Sequence, residues 1–235
     1  MGNINLEPCP WCGGKCENGG KVLERKEANK MKHYHKIDSI FKRDPETNFK
    51  TFLLGEYSQP EFEYLTNCEW VFTEKVDGTN IVVHFDEDGM PLFGGRTKKS
   101  EIPGFLMDEL RGMFSVSPEM AGLTLYGEGY GKKIQKVGSL YLDGHSFVLF
   151  DVLSGDVWLE RENVVDIAGF LGINVVPIVG SGTINEAVEF VKRGFNSTWG
   201  DFVAEGLVIR PEVELRSRRG GRIISKIKHK DFNNG

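Results

Sequence analysis

Short apolar runs, rich in β-branched and aromatic residues and separated by turn residues, dominate the chain and predict β-strands. An acidic turn at 86–90 predicts a hairpin between two of them. Helical spacing of apolar residues predicts helices in three other stretches. The predicted strands lie at 70–72, 81–85, 91–93, 123–126, 146–153, 175–179 and 202–211, and the predicted helices at 102–114, 162–171 and 184–195.

The stretch 73–80 places charged and turn residues between two predicted strands. Its lysine, Lys75, follows Glu74 and precedes the turn signal Asp77-Gly78. In isolation, this pattern is most often a surface hairpin whose lysine pairs with a neighbouring carboxylate. A lysine that is buried near other cations instead loses its proton near neutral pH and becomes a nucleophile. The rest of the chain has to decide between these two interpretations.

The length of 235 residues and the hydrophobic content of 40% fit one large domain with or without a small appendage. A charged, helix-compatible linker at 21–32 predicts an N-terminal extension, 1–32, before a main domain, 33–235. No apolar run approaches the roughly 20 residues of a membrane span, and the polar start at 1–5 lacks a signal-peptide core. We therefore expect a cytoplasmic protein with no membrane partner.

The charge of the chain is unevenly distributed. The net charge is −5, but the segment from Arg216 to Lys230 carries seven Lys or Arg and no carboxylate, which leaves −12 elsewhere. Strand alternation places Lys226, Lys228 and Lys230 on one face. Such a segment either binds a polyanion, such as a nucleotide or a nucleic-acid backbone, or forms a solvated charged hairpin, and charge alone does not separate the two.

Three of the four cysteines, Cys9, Cys12 and Cys16, lie within eight residues, with two glycines between the last two of them. Thiolates at this spacing can converge on one Zn²⁺ ion, which needs a fourth ligand. The alternative is a loose extension with reduced, solvent-facing thiols, since disulfides are not expected inside the cell. The candidate fourth ligands are His33, His35 and Cys68.

Further motifs place polar residues at strand ends beside glycine. Arg96 follows two glycines, Glu128 is framed by glycines, and Glu205 precedes Gly206. Small residues let a ligand approach the backbone closely, and a carboxylate in such a place can accept a hydrogen bond from a sugar hydroxyl. Aromatic residues in the predicted strand at 146–153 can form a flat surface for a base, although a core strand is the plainer interpretation.

Taken in order, these stretches resemble the signature motifs of the covalent nucleotidyltransferases, which comprise ATP-dependent DNA ligases, RNA ligases and RNA capping enzymes. Residues 75–80, Lys-Val-Asp-Gly-Thr-Asn, resemble the nucleophile motif Lys-x-Asp-Gly-x-Asn. Six motifs occur in the family's order, and the resemblance extends from about Tyr34 to Phe232. The other five motifs are Arg96, 126–129, 147–152, 205–209 and 226–228.

Two features favour an RNA ligase of the phage RNA ligase 2 group. Asn80 stands where DNA ligases usually have arginine, and 35–43 resembles a segment near the start of that group's proteins. The resemblance implies an ATP-dependent enzyme that joins 5′-phosphate and 3′-hydroxyl ends of RNA, at nicks in RNA-containing duplexes. The alternatives are a minimal ATP-dependent DNA ligase, or a nucleotide- or nucleic-acid-binding module that keeps the fold without the chemistry.

The resemblance also implies residue roles. Lys75 would attack the α-phosphate of ATP and hold AMP as a phosphoramide, while Lys226 and Lys228 would neutralise phosphate charge and lower the pKa of Lys75. Glu205 would hold Mg²⁺. The residues expected to bind the nucleotide or metal-bound water are Glu74, Asn80, Arg96, Glu128 and Phe150, with Phe147 as the substitute for Phe150 because the two face opposite sides of a strand.

The implied fold is an α+β nucleotidyltransferase domain, the ATP-grasp-like adenylation domain of ligases, in which antiparallel sheets enclose the nucleotide and helices pack outside. Only three residues follow Phe232, so we expect no OB-fold and no helical C-terminal domain in this chain. We expect a monomer that binds nucleic acid through the core face, the segment Arg216–Lys230 or the cysteine extension. A phage protein of this kind would act in the host cytoplasm.

Overall fold

The strand-rich pattern of the sequence folds into two main sheets and a small two-stranded sheet. The computed structural model describes residues 31–232, and the predicted α+β class is confirmed there. The strands of this region are β1 (Asp38–Ser39), β2 (Phe41–Arg43), β3 (Phe52–Tyr57), β4 (Trp70–Glu74), β5 (Thr79–Phe85), β6 (Pro91–Gly95), β7 (Leu123–Gly131), β8 (His145–Ser154), β9 (Val157–Trp158), β10 (Asn174–Val175), β11 (Ile178–Gly182), β12 (Gly206–Pro211) and β13 (Ser225–Lys228).

Helices cover the outer faces of the sheets. The α-helices between residues 31 and 232 are α1 (Pro60–Tyr64), α2 (Gly104–Met113), α3 (Gly138–Tyr141), α4 (Arg161–Leu171) and α5 (Ile184–Arg193), and short 3₁₀ helices lie at Pro45–Thr47, Pro118–Met120 and His229–Asp231. The three helices predicted from the sequence correspond to α2, α4 and α5, with ends that differ by one or two residues. Helix α5 begins at a capping box formed by Thr183 and Glu186.

The first sheet has the order β1-β13-β12-β4-β11 and the second the order β10-β8-β7-β5-β6, with β9 beside β8. Neighbouring strands are antiparallel except for the pairs β1–β13 and β8–β10. Strands β2 and β3 form the small third sheet. Because each main sheet mixes strands from distant parts of the sequence, residues that are far apart along the chain meet between the sheets.

Each main sheet has its own hydrophobic core. Under the first sheet, Ile184 and Val191 of α5 pack with Trp70 and Ile209. Under the second sheet, buried residues of α2 and α4, among them Leu106, pack against the strands. Burial of these apolar side chains is the main stabilising contribution to such a fold. Two smaller clusters fill the space between the sheets, next to the cavity described below.

The chain passes between the two sheets twice at nearly the same place. Strand β4 belongs to the first sheet and β5 to the second, so the stretch 75–78 is not the hairpin turn expected from its sequence. The predicted strand at 175–179 is also two strands, β10 in the second sheet and β11 in the first, with a break at Pro177. The carbonyl of Pro177 accepts a hydrogen bond from the backbone N–H of Glu74 at 3.1 Å, which joins the two crossings.

Two positions, one in a turn and one at the start of a strand, show why glycine is needed. Gly89 has φ +75° in the hairpin between β5 and β6, which confirms the hairpin predicted at 86–90. Gly206 has φ +150°, and a Cβ atom there would lie 2.0 Å from the carbonyl oxygen of Ile227. Strand β12 starts at this glycine, so it is shorter than the predicted strand at 202–211.

The cysteines of the predicted zinc site, Cys9, Cys12 and Cys16, lie outside the described residues. Of the candidate fourth ligands, Cys68 is exposed, and Nδ1 of His33 lies 3.2 Å from the carbonyl oxygen of Gly95. The zinc site and the domain boundary after residue 32 stay predictions, although Met31 is already buried in the core of the domain. No helix within residues 31–232 is long and apolar enough to cross a membrane.

Candidate active site

A cavity of about 420 Å³ lies where the two sheets meet. The end of β4, the crossing at 75–78 and the start of β5 form one wall, and side chains of β7, β8, β12 and β13 form the others. Of the residues predicted to form the site, Glu205 and Phe147 do not line this cavity. Those that do are Glu74, Lys75, Asn80, Arg96, Glu128, Phe150, Lys226 and Lys228.

Glu205 forms ion pairs with two lysines that line this cavity. Its Oε2 atom lies 2.6 Å from Nζ of Lys75, and its Oε1 atom lies 2.6 Å from Nζ of Lys228. Sheet register explains the meeting, because Gly206 pairs with Lys228 across β12 and β13 and the backbone N–H of Lys75 donates to the carbonyl of Gly206 at 2.9 Å. The two sequence motifs are thus brought onto one carboxylate.

The electrostatic state of Lys75 differs from the expectation. Burial favours the neutral amine, but the nearby carboxylates of Glu205, Glu128 and Asp77 outweigh it and raise the pKa of Lys75 above its usual value. With these carboxylates around it, Lys75 is therefore protonated at neutral pH. The predicted lowering of the pKa by Lys226 and Lys228 is not found, because Glu205 lies closer to the amine and carries the opposite charge.

Two further carboxylates crowd around the lysine. Burial and the charges of Glu205 and Asp77 raise the pKa of Glu128 to about 7, although Lys75 pulls it down. The pKa of Asp77 is also raised, first by burial and then by Glu205. An additional positive charge in this site would reduce the repulsion between these carboxylates and is therefore favoured.

Asn80 presents an unpaired oxygen to the cavity. Strand β5 pairs Asn80 with Glu128 on β7, and this pairing fixes the position of Asn80 beside one of the carboxylates that surround Lys75. Its Oδ1 atom is buried and has no hydrogen-bond partner among residues 31–232. A buried polar atom without a partner is costly and rare, so a ligand group or a water molecule is expected at this oxygen.

The carboxylate of Glu74 is already occupied by protein groups. It accepts hydrogen bonds from the hydroxyl of Ser197 at 2.5 Å and from the backbone N–H and hydroxyl of Thr198 at 2.9 and 2.8 Å. The residue is 1% exposed. Although Glu74 borders the cavity, its side chain fixes the loop at 197–198, so the predicted role of this residue in nucleotide binding stays a prediction that its carboxylate does not support.

Phe150 lines the cavity, whereas Phe147 does not. Phe147 is 1% exposed and packs edge-to-face on Phe114 in the core of the second sheet. Between Tyr126 and Gly127 the pairing of β7 with β8 shifts by one residue, so that Phe150 lies in a β-bulge. A bulged residue is re-aimed relative to its neighbours. The choice that the sequence left between these two aromatic residues therefore falls on Phe150.

Cations surround the open side of the cavity. Arg96, at the end of the β5–β6 hairpin, is exposed and borders it. Burial lowers the pKa of Lys226, and Lys228, Lys75 and Arg96 lower it further. Such a concentration of positive charge is suited to phosphate groups, which would offset this repulsion.

One buried ion-pair network was missed in the sequence. Asp151 is 2% exposed and accepts hydrogen bonds from Tyr34 at 2.5 Å, from Arg222 at 2.8 Å and from Arg210 at 2.9 Å. Arg222 also pairs with Glu214 at 2.7 Å. The signal was an aspartate interrupting an apolar strand, since a buried carboxylate requires a cation. Asp151 and Arg210 form part of the cavity wall beside Phe150.

The comparisons with solved structures show which fold this is. A Naegleria gruberi RNA ligase with PPi has a TM-score of 0.57 and 19% identity, over 84% of this chain and 56% of that one. A mutant of the N. gruberi RNA ligase with ATP and Mn has a TM-score of 0.55 and 21% identity, over 73% and 54%. An archaeal ATP-dependent RNA ligase has a TM-score of 0.58 and 15% identity, over 86% and 49%.

These matches show the RNA ligase nucleotidyltransferase fold. The chain spans about half the length of these relatives. No curated protein sequence matches it. The RNA ligase family model, however, matches residues 68–228, which is about two-thirds of the chain and includes the nucleophile motif and both lysines of β13. The chain therefore belongs to the RNA ligase family.

Proposed function

We propose that this protein is an ATP-dependent RNA ligase that first transfers AMP to its own Lys75. Nζ of Lys75 attacks the α-phosphorus of ATP, a P–N bond forms, and the bond to pyrophosphate breaks with its electron pair. AMP then passes to a 5′-phosphate end of RNA, and a 3′-hydroxyl displaces it to join the ends. The observation that carries the proposal is that Lys75 and Lys228, which both line a nucleotide-sized cavity, pair with the same carboxylate, that of Glu205.

The lysine has to lose its proton before it can attack. The ion pair with Glu205 holds Lys75 in its charged form. When the carboxylate of Glu205 turns to another cation, burial and the nearby lysines of β13 favour the neutral amine. Binding of the nucleotide and activation of the nucleophile are coupled in this way.

A divalent cation, which we propose to be Mg²⁺, fits the oxygen atoms of the cavity. The carboxylate of Glu205 and the unpaired Oδ1 of Asn80 would hold it, directly or through water. Mg²⁺ is usually held by one or two carboxylates together with waters and substrate phosphates. In the described part of the chain, no three His, Cys, Asp or Glu side chains are grouped to hold a metal, so waters and substrate phosphates would supply the remaining ligands of Mg²⁺. The cation would offset the negative charge of the phosphates.

The remaining cavity residues suit the parts of the nucleotide. The ring of Phe150 offers a surface on which adenine stacks, and the raised pKa of Glu128 suits a carboxyl that exchanges hydrogen bonds with ribose hydroxyls. Arg96, Lys226 and Lys228 line the cavity and would bind phosphate oxygens. We assign no ligand contact to the carboxylate of Glu74.

The decisive experiment is incubation with α-labelled ATP and Mg²⁺, followed by denaturing electrophoresis. We expect acid-labile label on the wild-type chain, none on Lys75→Ala, and normal label on Lys192→Ala, which removes an exposed lysine on α5. Label on Lys75→Ala, or no label on the wild type with any nucleotide, would refute the proposal.

Nick sealing tests the substrate. Asn80, in the motif position that favours an RNA ligase, leads us to propose sealing of nicks in RNA-containing duplexes, by a monomer. We expect faster sealing of such nicks than of all-DNA nicks by the adenylated protein. A preference for all-DNA nicks would favour the minimal DNA ligase instead.

A further inference from the structure

A second depression opens beside the cavity, between the β2–β3 hairpin and β13. It measures about 670 Å³, and two acidic residues, Asp38 and Asp231, also line it. We call it the basic groove, because its walls carry seven cationic side chains: Lys36, Lys42, Arg43, Lys50, Lys226, Lys228 and Lys230. In a chain with a net charge of −5, such a surface is a marked local excess of positive charge.

The basic groove is continuous with the candidate active site. Lys226 and Lys228 line both depressions. Strand β1 runs parallel to β13, with Ser39 opposite Lys226, and Ile37, just before β1, lines the cavity together with Lys75. A polymer that lies in the groove can therefore reach Lys75 with its end.

The two acidic residues pair with two of the seven cations, and Glu205 pairs with a third, Lys228. Asp231 is held by Arg43 at 2.8 Å and its side chain is 4% exposed, while Asp38 lies 3.3 Å from Lys36. Lys42 meets only an exposed carboxylate on the neighbouring strand, at 3.3 Å, and Lys50 and Lys230 are exposed. Exposed pairs of this kind are weak, so the amines remain available to phosphates.

An exposed aromatic ring stands at the tip of the hairpin beside the groove. Phe49 is 61% exposed and has φ +60°, a conformation that side-chain-bearing residues rarely adopt. The backbone N–H of Phe49 donates to the carbonyl of Asp44 at 2.9 Å, and Arg43 donates to the carbonyls of Phe49 and Lys50 at 3.3 and 3.4 Å. The same arginine that lines the groove thus holds the tip with its ring in solvent.

We propose that the basic groove binds the sugar-phosphate backbone of an unpaired stretch of an RNA strand, outside the duplex that holds the nick, and that Phe49 stacks on one of its bases. Cations along a track with an aromatic ring beside it are the pattern that binds single-stranded nucleic acid without reading its sequence. An acidic peptide would use the cations but has no base for the ring. The inference rests on the proposed function only for the identity of the polymer, which is RNA.

The test is fluorescence anisotropy with a labelled, 5′-phosphorylated RNA oligonucleotide of mixed sequence, titrated with the full chain in 0.05–0.2 M salt. Each phosphate contact on a single strand contributes a factor of about five at 0.1 M salt. We expect Lys42→Ala with Lys50→Ala to weaken binding about 25-fold and to lower the salt slope by about 1.4. Phe49→Ala should weaken binding about tenfold and Phe49→Trp should restore it.

The control variant, Lys192→Ala with Arg111→Ala, removes two exposed cations from the outer helices, and neither residue lines the groove. Equal weakening by this control, or unchanged binding by the groove variant, overturns the inference. So does a polyglutamate peptide that competes as well as RNA. Labelling with ATP, which none of these variants should change, reports on Lys75 alone, so that a failure of the proposed function is distinguished from a failure of the groove.

Discussion

Two groups of charged residues flank the same cavity but are built in opposite ways. The first, the lysine cluster, consists of Lys75, Asp77, Glu128, Glu205 and Lys228; the second, the Asp151 network, consists of Tyr34, Asp151, Arg210, Glu214 and Arg222. Burial alone would raise the pKa of Asp151, but Arg222 and Arg210 hold it below its usual range. In the lysine cluster, the carboxyls of Glu128 and Asp77 have raised pKa values.

The difference separates a structural from a functional arrangement. The carboxylate of Asp151 has three hydrogen-bonded partners within the protein, so it requires nothing more. The lysine cluster holds carboxyls that repel one another, together with the unpaired oxygen of Asn80, so it gains from a ligand. Substitutions in the Asp151 network, whose hydrogen bonds are all made within the protein, should therefore change stability. Substitutions in the lysine cluster, whose charges are not balanced within the protein, should change activity.

Breaking the Asp151 network should have the largest effect on folding. Asp151→Asn leaves Arg210 without a counter-charge and leaves the buried Arg222 with Glu214 alone, so it should lower the free energy of unfolding by about 3–5 kcal/mol, measured by urea denaturation at pH 7. The contribution of Asp151 is present above the usual pKa of 3.8 and is lost as the pH falls through its lowered value, so the two proteins should converge in acid.

The matched control for that variant is Asp156→Asn, whose side chain is 93% exposed and pairs with Lys32. Its unfolding curve should overlay that of the wild type, because exposed ion pairs contribute little. If Asp151→Asn also overlaid the wild type, the Asp151 network would not be the structural member of the comparison.

Removing the charge of Glu205 should separate its two roles. Glu205→Gln takes away the partner that keeps Lys75 protonated, so an amine-acylating reagent at pH 8 should modify Lys75 about tenfold faster for each pKa unit lost, as read by mass spectrometry. Self-adenylation should nevertheless fall about 100-fold or more, because the proposed metal ligand is gone.

The control here is Glu56→Gln, which removes the exposed partner of Lys42 and should change neither measurement. Faster acylation together with undiminished adenylation by Glu205→Gln would show that the carboxylate only pairs with the lysine. Slower acylation would show that Glu205 does not set the protonation of Lys75.

Relieving the repulsion at Glu128 should stabilise the protein while weakening its activity. Because burial raises its pKa from 4.5 to about 7, the folded state loses stability as the pH rises through this interval. Glu128→Gln should be no more stable than the wild type below pH 4.5, and about 2–3 kcal/mol more stable at pH 8, by urea denaturation. An equal difference at both pH values would contradict the assigned pKa.

The sequence predicted the elements better than the sheet to which each belongs. Periodicity identified α2, α4 and α5, and the order of the motifs indicated the RNA ligase family, which the family model confirms. The crossing at 75–78 was misread as a hairpin because Asp77-Gly78 satisfies local turn rules, whereas the partner strands of β4 lie more than a hundred residues away in the sequence. Local pattern carries no information about such distant pairing.

The Asp151 network escaped prediction for the same physical reason. Its arginines, Arg210 and Arg222, are 59 and 71 residues from Asp151, and one of them was counted only as part of a basic segment. A carboxylate in an apolar strand signals that a cation exists but not which one. The β-bulge at Phe150 is likewise a register shift between two strands, which no pattern within one strand reveals.

The smallest expected effect concerns the β-bulge at Phe150. Substitutions of Phe150 and of Phe147, three residues earlier, should have different effects on ATP binding. Phe150→Leu removes a ring that lines the cavity, and should weaken ATP binding about fivefold, since an aromatic stack contributes about 1 kcal/mol. Calorimetric titration in a Lys75→Ala background measures binding without reaction. Phe147→Leu removes a ring buried beneath the second sheet, so it should leave ATP affinity unchanged and lower stability by about 1–2 kcal/mol. The opposite result would place adenine on the other face of β8, where a Cβ added at Gly127 already meets Phe147 at 2.2 Å and no space for a base remains.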